Sequence, residues 1–303
     1  MFSFARDLRY ALRQLRKSPG YTLVAIATLA LGIGANTAIF LLTYSIILRS
    51  LPVPHPSELV RYRFANGNRE IDFSYLLYES LRAHQTATTG VFAAFDTDSP
   101  LQNSQGPATT VHAELATGSI FRVLELRPWL GRGFPESAGE RGQPLQPEAL
   151  LSYDFWRTHF NADPHILGRA LALGRNHTAI TVVGVLPPGF DGIAPESRID
   201  LLLPLSFERV LYGKFAMIDQ AGAFWLTVIG RLKPGQTLTS ASSALAASAT
   251  LISNEVTHST KSSMRISLAA AIGSTWNPAA PENPTFALST ASLCSPSKRS
   301  ARS

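Results

Sequence analysis

The sequence predicts a mixed α+β domain carried behind a single amino-terminal membrane-spanning helix. Three observations predict it. Residues 18–48 contain no ionised side chain. Basic residues crowd the chain just before that stretch. Beyond residue 57, short strand-like runs are interrupted by single helical ones, the pattern of an α+β domain.

Within residues 1–17, Phe4, Leu8, Leu12 and Leu15 recur at spacings of four and three, and the arginines fall largely between them. That pattern predicts an amphipathic helix in the cytoplasmic headgroup layer. Ser18-Pro19-Gly20 then turns the chain into the span. The apolar run Tyr21–Leu48 exceeds the roughly 20 residues a helix needs to cross a bilayer. At about 1.5 Å per residue it would be about 42 Å long, against a hydrocarbon core of about 30 Å. Arg6, Arg9, Arg13, Arg16 and Lys17 precede it, opposed only by Asp7, whereas Arg49 is the sole Lys or Arg between the span and Arg61. This asymmetry places the amino terminus in the cytoplasm and the bulk of the chain outside. A cleaved signal peptide has a shorter apolar region and a small-residue cleavage site, which IILRSLPVPHP does not offer.

Pro52, Pro54 and Pro56 favour extended backbone and a short stiff elbow. Leu59–Phe64 reads as a strand, and Asp72 or Ser74 caps a helix over 74–85 with an apolar stripe of Phe73, Leu76, Leu77 and Leu81. Strands follow over 91–95 and 111–115, with a turn-like Asp96-Thr97-Asp98-Ser99-Pro100 between them and a short helix near 119–124 afterwards. Residues 149–152 read as a strand, and 153–160 as an aromatic helix placing Phe155, Trp156 and Phe160 in the core. Residues 169–173 and 178–185 make a hairpin across Gly174-Arg175-Asn176-His177. Further strands cover 201–204 and 225–232. Lys233-Pro234-Gly235 then turns into a helix around 239–253, with Leu238, Ala241, Leu245 and Ile252 on one face.

The isoelectric point near 9.7 does not signal nucleic-acid binding. Residues 1–17 carry +4 and the tail from Ser297 carries +3, so the remaining chain holds 19 basic against 20 acidic residues. A nucleic-acid-binding domain concentrates its excess charge on the folded body. The single cysteine, Cys294, excludes an intramolecular disulfide framework, so the outer domain is held by its core alone.

No residue pattern assembles catalytic, cofactor-binding or metal-binding chemistry. Gly32-Ile33-Gly34-Ala35-Asn36-Thr37 lacks the strand and the third glycine of a dinucleotide fingerprint. Its small residues suit close approach of a neighbouring helix. Gly131 and Gly133 are not followed by the lysine of a phosphate loop, and no G-x-x-x-x-G-K-[ST] occurs. His159 and His165 read as loop decoration, and Gly118-Ser119 lacks the flanking glycines of a nucleophile elbow. Asp96 and Asp98 read as solvated turn residues, Asn176-His177-Thr178 as a sequon without consequence, and Cys294 as a thiol without activating neighbours.

Five separated segments carry a family resemblance: DLRYALRQLRKSPGYTLVAIATLALGIGANTAIF, ATGSIFRVLELRPWLGRGF, ALLSYDFWRTHFNADPHILGRAL, TAITVVGVLPPGFDGI and VIGRLKPGQTL. In this order and spacing the chain, over about residues 5–265, resembles the amino-terminal span and periplasmic core domain of MacB-like permeases of ABC transporters. The resemblance implies a periplasmic core domain over 57–268 with two lobes. One is a porter-like ββα-type lobe from 57–115 and 206–265; the other is a mostly β lobe inserted at about 116–205. It implies residence in the inner membrane as a dimer or beside a related permease, with a separate ATP-hydrolysing subunit and other envelope export components as partners. It also implies mechanical transmission without a conventional channel, and no enzymatic activity; substrates across the family include macrolides, peptides and lipoproteins. Such permeases have three further spans after the core domain, yet nothing beyond residue 49 approaches 18 uncharged apolar residues, and 269–303 reads as a disordered tail. The sequence therefore supports a permease subunit or fragment of an export system. A membrane-tethered binding or sensing module and an inert truncated product stand as alternatives.

Overall fold

The computed structural model describes residues 13, 16–47, 52–66, 69–102, 107–193, 198–220, 222–257 and 264–270. Most of the expected helix over 1–17, the tail from 271 and Cys294 lie outside the described residues. The chain divides into two compact units, Met1–Arg49 and Ser50–Ser303.

The first unit is dominated by helix α1, Pro19–Ile47, of 29 residues. Proline is tolerated at its start because the first backbone N–H groups have no intrahelical partner. Thr22 ties the first turn down, its N–H and hydroxyl both donating to the Ser18 carbonyl at 3.1 and 2.9 Å. Pro19–Leu41 has a mean hydropathy of 2.0 and none of it is buried by protein. Its length and apolar composition fit a membrane-spanning helix.

The second unit is a sheet-rich α+β domain. In chain order its elements are β1 (Leu59–Asn66), β2 (Arg69–Ile71), α2 (Tyr75–His84), β3 (Thr88–Gln102), β4 (Thr109–Ala116), α3 (Ile120–Val123), β5 (Leu130–Gly131) and β6 (Glu148–Leu151). There follow α4 (Tyr153–His159), β7 (Ala170–Leu173), β8 (Thr178–Val185), β9 (Leu201–Pro204), α5 (Glu208–Tyr212), β10 (Thr227–Leu232), α6 (Leu238–Thr257) and β11 (Met264–Ala270). Ser74 caps α2 by accepting from the Leu77 N–H at 3.3 Å, and Ser152 caps α4 by accepting from Phe155 at 3.2 Å.

The strands run β11-β1-β10-β3-β4-β9-β6-β8-β5. Strand β7 bonds both β3 and β8, so β3, β4, β9, β6, β8 and β7 close into a six-stranded ring. Closure satisfies backbone groups that an open edge would leave unpaired. Strand β3 is the seam: its first half pairs with β10 and its second half with β4.

Strand periodicity sorts the side chains into two cores on opposite faces. Val91, Ala93, Leu115 and Val228 join the larger one, which fills the ring and reaches α2 and α6. Phe92, Ala94, Ala116 and Ile229, one residue out of phase, join the second. Helix α6 presents Ala241, Leu245 and Ile252 to the larger core, the face expected from its spacing.

Three expectations are corrected. Asp96–Pro100 is not a turn but the middle of β3, in register with Thr110–Glu114 of β4. Cross-strand pairing outweighs the poor strand propensity of Asp and Pro, and Pro100 still contributes its carbonyl, accepting from Gly174 at 2.9 Å. The elbow is not uniformly extended: His55 takes φ 48°, ψ 57°, and Pro56–Glu58 forms a 3-10 turn. Strand β11 continues through Ala270, two residues into the expected tail, because β1 offers it a free edge from Val60 to Asn66.

Candidate functional site

The elbow that follows the span is fastened to the sheet by a buried cluster of polar contacts. Residues Pro52–Glu58 form the elbow; Val53 in it, 7% exposed, and Leu59 just after it at the start of β1, 1% exposed, are driven into the second core. Burying two such side chains stabilises the docked elbow by about 3–5 kcal/mol at ordinary transfer values.

Arg231 supplies the rest. It lies on β10 with the same parity as Ile229, so its side chain faces the second core, and it is 4% exposed. A guanidinium cannot shed its charge, so burial demands acceptors around it. Nε donates to the Val123 carbonyl at 2.7 Å. Nη2 donates to the Pro54 carbonyl at 3.0 Å, and Nη1 to the His55 carbonyl at 3.2 Å and Glu58 Oε2 at 3.1 Å. Glu125 Oε1 stands 3.6 Å from Nε. Four of the five N–H groups are thus engaged, and three of those four bonds end on the elbow.

A second buried ionisable group occupies the same face. Glu114 on β4 is wholly buried; its Oε2 accepts from the Ile193 N–H at 2.9 Å, and its Oε1 has no partner. It stands directly across from Asp96 of β3. Desolvation, with the Asp96 charge adding to it, pushes the Glu114 carboxyl up to about 8. The Asp96 carboxyl is raised by desolvation. Asp96, Asp72 and Arg61 line a shallow hollow of about 290 Å³ beside Trp225, with charges of both signs and Arg61 held by Thr227 Oγ1 at 3.1 Å.

The other residues weighed from sequence are scattered among structural roles. Asp98 bonds His112, one step along the strand from the Asp96–Glu114 pair. His159 stacks on Phe155 at 4.2 Å, whereas the His165 N–H donates to Asp163. Ser119 is buried and donates its hydroxyl to the Val91 carbonyl at 3.0 Å. Gly131, at φ 74°, belongs to β5, and Gly32 and Gly34 lie inside α1. Asn176-His177 forms the β7–β8 turn, with His177 at φ 51°. Among the described residues no group of three or more His, Cys, Asp or Glu is placed to hold a metal ion.

Sequence reasoning missed Arg231 and Glu114. Each had a local signal, a lone charge inside an apolar strand run (WLTVIGRL and VHAELA). Their partners are the missing information, since Arg231 and Pro54 are 177 residues apart.

The pattern of the MacB-like periplasmic core domain matches residues 22–248, from within α1 to within α6. The chain belongs to the MacB-like periplasmic core domain family. It therefore carries the outer domain of an ABC-type transporter permease behind an apolar amino-terminal helix. Solved domains of a permease and of ABC-type transporters are similar to it at low identity. A domain of a permease protein from Porphyromonas gingivalis is 16% identical, covering 76% of this chain and 95% of its own, with a TM-score of 0.49. The extracellular domain of the noncanonic ABC-type transporter YknZ from Gram-positive bacteria is 14% identical, covering 70% of this chain and 99% of its own, at TM-score 0.48. The periplasmic region of MacB from Actinobacillus actinomycetemcomitans is 15% identical, covering 70% and 88%, at TM-score 0.47. No curated protein matches the chain.

Proposed function

We propose that this MacB-like chain is a permease component of an ABC-type export system in the inner membrane, passing motion between the span and the outer domain. Its amino terminus faces the cytoplasm and its sheet-rich domain the periplasm, as the five basic residues ahead of α1 favour. ATP hydrolysis belongs to a separate subunit, and the permease works as a dimer or beside a related permease. Within the domain, the segment of about 116–205 is the inserted lobe; it supplies β6, β7, β8 and β9 of the ring, whose other two strands, β3 and β4, come from the segment before it.

One observation carries this reading. Beyond the span, Val53, Pro54, His55 and Glu58 of the elbow are all fastened to the sheet-rich domain. A passive tether gains nothing from such fastening, whereas a transmitter requires it.

Affinity purification of the full chain from its native membranes in mild detergent tests the proposal. We expect an ATP-binding-cassette subunit to co-purify and to give vanadate-sensitive ATP hydrolysis. An intact, folded chain recovered repeatedly without such a subunit contradicts it and favours a tethered binding module.

A further inference from the structure

We infer that Arg231 is the coupling residue of the elbow: it fixes the orientation of the Pro54–Glu58 segment that follows the span against the middle of the sheet. This rests on the transmitter reading above and names the side chain that performs it.

The argument begins with what the residue costs. The position faces the second core, where Ile229, two residues earlier on the same strand, packs as an ordinary apolar side chain. An apolar residue at 231 would serve stability as well, because replacing buried charges by well-packed apolar groups is often neutral or favourable. What arginine adds is direction. Its planar fork grips fixed acceptors at several points, which methylene packing cannot do.

The acceptors identify what is gripped. The carbonyls of Pro54 and His55 and the carboxylate of Glu58 all belong to the segment that follows the span, and the remaining bond anchors the same guanidinium to Val123 at the end of α3. The left-handed backbone at His55 aims two successive carbonyls at one cation, a geometry that needs an external partner to hold it. On the other side, Arg231 pairs with Leu59 of β1 and Gly90 of β3. Strand β3 is in turn the seam shared by the ring and the rest of the sheet. A displacement of the elbow therefore enters at β10 and passes through one strand neighbour to the seam. With Arg231 removed, Val53 stays buried beside Leu59 of β1, but among the described residues no other side-chain hydrogen bond fixes the orientation of the elbow.

The test uses the full chain in lipid nanodiscs, with Cys294→Ser to remove the native thiol. Spin labels on Ser57→Cys and Ser137→Cys report the elbow against the domain, and labels on Thr89→Cys and Ser137→Cys report the domain alone. We expect a narrow Ser57–Ser137 distance distribution with Arg231 present. Arg231→Met should broaden it at least twofold while leaving the Thr89–Ser137 distribution unchanged. Arg231→Lys should fall between, and Glu58→Gln, which spares the carbonyl bonds, should broaden it least. A distribution for Arg231→Met as narrow as the parent overturns the inference. If Arg231→Met does not fold, the ordering of the Lys and Gln variants decides, and equal widths for both and the parent overturn it. Capture of the ATP-hydrolysing subunit is scored separately, so loss of the transmitter reading is distinguishable from loss of the coupling residue.

Discussion

Glu114→Gln should stabilise the domain, and by an amount that grows from acid to mildly alkaline pH. The sign follows from linkage. Burial and Asp96 raise the folded-state carboxyl from 4.5 to about 8. Below about pH 4.5 both folded and unfolded chains hold the proton and nothing is lost. Between there and about pH 8 only the folded chain holds it, so stability falls by about 1.4 kcal/mol per pH unit. Above pH 8 the carboxylate is ionised inside the second core and the penalty levels off, having reached on the order of 4 kcal/mol. Glutamine cannot ionise, keeps an oxygen for the Ile193 N–H and preserves the volume. Denaturation of the full chain in detergent, followed by tryptophan fluorescence, should show the variant within about 1 kcal/mol of the parent at pH 4.5 and about 3–4 kcal/mol more stable at pH 8.5. Parallel pH profiles for the two would refute the assignment.

The second large effect is expected at Gly118. A Cβ built there would stand 1.9 Å from the Pro135 carbonyl oxygen and 2.9 Å from its carbon, which are backbone atoms that cannot swing aside. The Gly118 N–H donates to Ala138 at 2.8 Å, so the two backbone segments are already bonded at close approach. Gly118→Ala must push the 135–138 turn away from the β4–α3 connection and dislodge Phe134 and Ala138 from the second core. A loss of about 3 kcal/mol or more is expected, in the range reserved for overpacking and broken buried hydrogen bonds. Gly222→Ala is the control, since nothing lies within 4 Å of a Cβ at that position. Its denaturation midpoint should match the parent; equal midpoints for both variants would contradict the close-approach account.

Much of this fold is legible in the sequence because period and punctuation agree. The β7–β8 hairpin announces itself through the alternating Ile180 and Val182 beside a glycine-led turn, and α4 through Ser152 followed by aromatic residues at core spacing. Strand β3 is legible only in its first half. Its second half, written Asp96-Thr97-Asp98-Ser99-Pro100, carries turn chemistry, and only the register with β4 makes it a strand. The short β2 and β5 have too few residues to show a period, and β11 depends on the edge that β1 offers. The candidate site is the least legible part. Pro52-Val53-Pro54 marks an elbow but says nothing of where it docks, and Arg231 looks like one more charged residue before a turn. A buried ion cluster is defined by acceptors from two places in the chain meeting a donor from a third, and linear spacing does not encode that meeting.

The central claim is that α1 is embedded in lipid and holds the sheet-rich domain to a membrane surface. The most direct test is to wash membranes containing the full chain with alkaline carbonate and sediment them. The account predicts that the chain stays in the pellet after the wash and is released only by detergent, as the apolar run Pro19–Leu41 requires. Recovery of the chain in the carbonate supernatant would contradict it.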